Sequence, residues 1–157
     1  IGLYGKSMPK VVDNFVKLCT VQFDTQDGST RKYVGSIFHR MFRSGFIQGG
    51  DSTLPRNGLD SVAFSGTPFK PEHRRHTRQK NTISMVLDNN GNVGSQFVLY
   101  ANPVDFPPPG MPVLNEAVFG RITQGTSAVS ELSWRRTASG VGAPSGEVII
   151  TRCNIVN

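Results

Sequence analysis

The first clear periodicity lies near the start of the chain, where Val12, Phe15, Val16 and Cys19 recur at helical spacing. Ser7 is placed to cap this helix and Pro9 to occupy its first turn. Ahead of it, Ile1 and Leu3 followed by Gly5 read as the end of a strand and a turn. Residues 24–32 are polar and read as a loop. Beyond them the pattern shortens. Residues 36–38, 45–48, 82–86, 96–100, 117–122 and 147–153 are brief runs rich in β-branched and aromatic side chains, divided by Gly, Asn and Pro, and each reads as a strand. Only residues 127–132 offer a second helix. Many short strands with two helices predict a mainly β fold built on a closed or sandwiched antiparallel sheet.

Composition sharpens this picture. At 157 residues and 37% hydrophobic, the chain has the length and apolar content of one domain, spanning 1–157. Its 17 Gly and 10 Pro are spread along the whole length, which fits frequent turns rather than a disordered tract. No apolar run approaches the length of a membrane span, so no membrane insertion is expected. With 17 Lys and Arg against 11 Asp and Glu, the formal charge of +6 favours anionic surroundings without specifying nucleic acid. Cys19 and Cys153 are too few for a disulfide framework and lack metal-ligand spacing.

General catalytic signatures are missing: there is no phosphate-binding Walker loop, no Gly-x-Ser-x-Gly elbow and no His-Glu-x-x-His helix. His73 and His76 stand among Arg74, Arg75 and Arg78, whose charge opposes metal binding. Asp51, Asp60 and Asp88 have no spacing that singles out an acid/base pair, so turn or surface roles are expected of them. Neither a metal nor a cofactor is expected.

Two blocks carry the functional signal. The first is Phe38-His39-Arg40, followed by Gln48-Gly49-Gly50-Asp51; the second is Ser84-Met85, followed by Gly94-Ser95-Gln96-Phe97. Pro9-Lys10, Asn14-Phe15, Asn57-Gly58, Gly66, Phe69 and Val118-Phe119-Gly120 add flanking matches. In sequence and ungapped spacing these resemble the cyclophilin family of peptidyl-prolyl cis/trans isomerases. The resemblance implies a closed eight-stranded antiparallel barrel capped by two helices, with a peptide groove on its outside. The family's first strand would lie before Ile1, so the domain is expected to be incomplete at its N-terminus.

The implied reaction is rotation about an X-Pro bond, whose barrier is roughly 18–20 kcal/mol. No covalent step is needed. A site must seat the proline ring, hold the preceding carbonyl and place a cationic donor near the imide nitrogen as it pyramidalises. By resemblance Arg40 is the catalytic cation, a role that suits a planar guanidinium of permanent charge. Gln48 and Gln96 match groove-lining glutamines, and Leu87 stands where backbone pairs with an extended peptide. Proline-containing segments of proteins are the implied partners.

Departures from the family pattern concentrate in the proline pocket. Gly45 and Val98 replace pocket phenylalanines, Phe46 replaces a methionine and Val86 a small alanine. Residues 102–116 form a longer segment in which Phe106 aligns with the family's tryptophan and Glu116 with its histidine. Losing two rings removes about 2–4 kcal/mol of apolar burial unless Phe46 or Phe106 fills the space. Two readings stay open: a weak or narrow isomerase aiding folding or assembly, and a non-catalytic interaction subunit of a larger complex. Cyclosporin, which fills the family's groove, is expected to bind poorly.

Three further expectations follow. The resemblance puts the first helix beside the last strand, so Cys19 and Cys153 are candidates for a redox-sensitive pair, although two independent thiols are favoured. The phrase Ile1-Gly2-Leu3-Tyr4-Gly5 is similar to organellar plant cyclophilins, which suggests a chloroplast location. Finally, residues 70–80 carry Lys70, His73, Arg74, Arg75, His76, Arg78 and Lys80 against Glu72 alone. Arg74, Arg75 and Arg78 are expected to dock an acidic protein surface, with a nucleic-acid backbone the less favoured partner.

Overall fold

Alternation along the long strands sorts their side chains onto two faces. In the computed structural model, which describes residues 1–20, 23–24, 30–54, 57–102, 114–135, 137 and 141–156, the elements are β1 (Gly2–Leu3), α1 (Pro9–Thr20), β2 (Phe23–Asp24), β3 (Thr30–Arg31), β4 (Phe38–Phe42), β5 (Phe46–Gly49), β6 (Thr82–Leu87), β7 (Val93–Tyr100), β8 (Glu116–Arg121), α2 (Thr126–Ser133) and β9 (Val141–Gly142). Met41, Ile47, Ile83, Met85, Phe97, Leu99, Ala117 and Phe119 enter the main core, where Met8, Val11, Phe15 and Leu18 of the α1 region meet them. Burying side chains of this size stabilises the fold by about 1.5–3 kcal/mol each. Phe46, Val98 and Tyr100 lie in a separate apolar cluster, joined by Phe42, Val86 and Leu114. Since strand side chains alternate, that cluster lies on the opposite, outer face of the sheet.

Among the described residues the main sheet has seven antiparallel strands in the order β1-β8-β6-β7-β5-β4-β9, and β2 pairs with β3 apart from it. Among these residues the sheet is not closed. This departs from the eight-stranded barrel that the resemblance implied, and the ends show why: β1 and β9 are two residues long and each pairs on one side only. The run 147–153 is not a continuous strand either. It contributes a bridge between Ile149 and Ile37, with Ile150 and Val148 bonding to Gly35, Ser36 and Phe38.

The helix also differs in detail from its sequence pattern. Its buried face is Val11, Asn14, Phe15 and Leu18, so the stripe is rotated from the Val12, Val16 and Cys19 expected. Asn14 explains the rotation. Its amide donates to the Gly94 carbonyl at 2.9 Å and accepts from the Phe64 amide at 2.8 Å, so a polar residue sits satisfied in the interior. Ser7 does not cap the helix; its hydroxyl lies 3.3 Å from the Tyr4 carbonyl and 3.1 Å from His76 Nε2.

Candidate functional site

One extra residue in β4 creates the site. Phe38 pairs with Gly49 but Arg40 pairs with Gln48, so His39 is a bulge between them. Without the bulge Phe38 and Arg40 would share a face. With it, Phe38 enters the core against Phe97, their ring centroids 5.9 Å apart, while Arg40 stands with Gln48 on the outer face. The bulge is packed tightly: a Cβ on Gly58, whose φ is +85°, would lie 2.5 Å from His39 Cδ2. Burial lowers the His39 pKa more than the neighbouring Asp51 carboxylate raises it, so its imidazole resists protonation.

From Arg40 a chain of hydrogen bonds crosses the sheet. Arg40 Nη1 donates to Gln48 Oε1 at 3.4 Å, and Gln48 Nε2 donates to Gln96 Oε1 at 2.7 Å. Gln96 Nε2 donates to the carbonyls of Gly58 and Asp60, both at 2.9 Å. Both glutamines are buried. The amide of Gln96 is therefore fully engaged within the protein, which makes it a support for Gln48 and the 58–60 loop. Asp51 completes that support from beneath, accepting from the Gly58 amide at 2.7 Å and from Thr53. It is fully buried and organises a loop.

Beside this chain lies the apolar cluster. Phe46, Val98 and Tyr100 are all at 0% exposure, so none presents a free face to a proline ring. Gly45 does not leave a vacancy. A Cβ there would fall 2.7 Å from the Phe42 ring, which stacks on Phe46 at 5.9 Å between centroids. Val86 is half-buried against the same cluster and, with Ser61, Leu87, Gly94 and Gln96, lines a cleft of about 220 Å³. Leu87 turns its side chain into the core, and its amide donates to the Asn115 carbonyl at 2.8 Å, so it has no free donor for a peptide. Phe106 lies outside the described residues.

Glu116 closes the far wall through a polar cluster. The Tyr100 hydroxyl donates to Glu116 Oε2 at 2.6 Å, and Arg78 Nη1 reaches the Tyr100 oxygen at 3.3 Å and Glu116 Oε1 at 3.4 Å. Burial raises the Glu116 pKa, with Tyr100 and Arg78 opposing the shift, and burial likewise raises that of Tyr100. Arg74 Nε donates to the Glu116 carbonyl at 3.1 Å. Two arginines of the basic loop thus turn towards the sheet, while Arg75 is exposed.

The structure brings Arg40, Gln48, Gln96, Val86, Val98, Phe46 and Glu116 onto one face. Sequence reasoning missed Phe42, Tyr100 and the inward role of Arg78. The first two share the alternation of Phe46, Gln96 and Val98, which was the available signal. The structure also joins Cys19 to Cys153 in a disulfide with Cα atoms 5.1 Å apart, where independent thiols were favoured.

Comparison with known proteins identifies the family. The family model described as cyclophilin type peptidyl-prolyl cis-trans isomerase/CLD matches residues 1–155. The chain belongs to the cyclophilin family. It is similar to peptidyl-prolyl cis-trans isomerase D of Saccharomyces cerevisiae, with 34% identity over 153 residues. That match covers 96% of this chain but 62% of the yeast protein, so the chain spans less than two thirds of this relative. Among the described residues, no helix is long and apolar enough to cross a membrane.

Proposed function

We propose that this cyclophilin domain is a peptidyl-prolyl cis/trans isomerase of low activity and narrow client range, acting on proline segments of proteins during folding or assembly. The observation that carries this reading is the Arg40–Gln48–Gln96 chain, which holds a permanent cation on the outer face. Rotation about an X-Pro bond localises the lone pair on the imide nitrogen, and a fixed guanidinium donor beside it stabilises that pyramidal state more than the planar ground state. Gln48 restricts the Arg40 rotamer, so less ordering remains to be done on binding. The filled pocket limits the client range, since a proline ring must settle against half-buried Val86 and Phe42 instead of an open aromatic floor.

The complete burial of Phe46, Val98 and Tyr100 favours a second reading, a cyclophilin-fold interaction subunit without turnover. One experiment separates the two. Turnover of a panel of proline peptides is expected to exceed the uncatalysed rate, and Arg40→Ala is expected to lower it by about 10- to 1,000-fold. A panel in which no peptide shows an Arg40-dependent rate leaves the interaction subunit as the function.

A further inference from the structure

An opening of about 770 Å³ lies further along β8, where Val118 follows Glu116 by two residues. Leu3, Tyr4, Lys6, Ser7, His76 and Val118 are among its lining residues, and none of the described residues lining it is acidic. The basic loop is fastened to its edge. His76 and Tyr4 pack with ring centroids 4.9 Å apart, and Ser7 Oγ lies 3.1 Å from His76 Nε2. Because Arg74 and Arg78 turn to Glu116, the loop divides its cations between the sheet and this opening.

The charge left at the opening is unbalanced. Lys6 lines the opening and Arg75 immediately precedes the lining residue His76; both are exposed, and neither makes an ion pair among the described residues. Arg121 is exposed at the end of β8 and pairs in register with Thr82, another lining residue. Glu72, the one acid of the basic loop, accepts from the Lys10 amide through Oε1, and Glu116 is held by Arg78 and Tyr100. Burial first, and then the charges of His73 and Arg75, lower the His76 pKa.

We infer that this opening docks a short acidic segment of a partner protein, with its carboxylates on Lys6 and Arg75 and an apolar side chain against Leu3 and Tyr4. Volume and lining suit a few side chains better than a nucleic-acid backbone. Within the basic loop there is no Phe, Tyr or Trp to stack on bases.

Fluorescence anisotropy on the full chain tests this, using a labelled peptide of alternating glutamate and leucine, its lysine–leucine counterpart and a labelled oligouridylate. The acidic peptide is expected to bind, to weaken as salt rises and to shift the His76 and Tyr4 resonances. The double variant Lys6→Glu/Arg75→Glu is expected to lose on the order of tenfold or more in affinity. Absence of binding, equal binding by the double variant or by the lysine–leucine peptide, or tighter binding of oligouridylate overturns the inference.

Discussion

His39 shows how one side chain can serve both the backbone and the site. It occupies the bulge that turns Arg40 outward, and its imidazole packs where Gly58 has no Cβ. Burial lowers its pKa from the ordinary 6.5, so the folded state binds a proton less readily than the unfolded chain. The sign follows from linkage: His39 contributes stability above the unfolded pKa, and that contribution is lost as pH falls from there towards the folded pKa. Urea unfolding at about pH 7.5 and about pH 5 is therefore expected to show a larger stability loss for the wild type than for His39→Gln. Since His76 is lowered in the same direction, the difference between the two proteins isolates His39. Equal losses would mean that the imidazole titrates as it does in the unfolded chain. The sequence identified Phe38-His39-Arg40 as a block, but not why its middle residue matters. A bulge is a statement about the partner strand, and only the pairing of Arg40 with Gln48 reveals it.

At the scale of elements, strands were more legible than ends. The runs that became β5, β6, β7 and β8 were placed within a few residues, because alternation and β-branched content report the pleat directly. The stripe of α1 is rotated from the Val12, Phe15, Val16 and Cys19 pattern to Val11, Asn14, Phe15 and Leu18, because two backbone groups meet the Asn14 amide inside. The β4–β5 hairpin carries the sharpest consequence for the site. There Phe42 occupies the space that a side chain at Gly45 would need. Gly45→Phe alone is expected to cost about 1–3 kcal/mol by overpacking. Adding Phe42→Ala should recover much of that loss, and the double variant should bind cyclosporin more tightly than the wild type. A double-mutant cycle by chemical denaturation, with cyclosporin titration alongside, measures both effects. Additive costs would show that Phe42 and Gly45 do not share this space.

Across the whole molecule, the two motif blocks were legible because they lie on adjacent strands with fixed spacing, while partners distant in sequence were not. The disulfide is the extreme case: it links Cys19 at the end of α1 to Cys153 across 134 residues of chain, a pairing that only the family resemblance offered and that ranked below two independent thiols. Spacing that long carries no pattern. Its consequence is large because closing so long a loop restricts the unfolded chain, an effect of about 2–5 kcal/mol for a native bond in this model of disulfide stabilisation. Both sulfurs belong to partly buried residues packed against the main core, so the bond ties α1 to the C-terminal segment beside residues 35–38. Reduction, or Cys153→Ser, is expected to lower the thermal midpoint by on the order of 10 °C. Arg40 lies on the opposite face of the sheet from α1, so the folded variant should keep the proline-peptide turnover proposed for the wild type well below that midpoint. Thermal unfolding with and without dithiothreitol, compared with Cys153→Ser in both conditions, measures the effect. A midpoint that dithiothreitol leaves unchanged in the wild type would show that the bond adds nothing to stability.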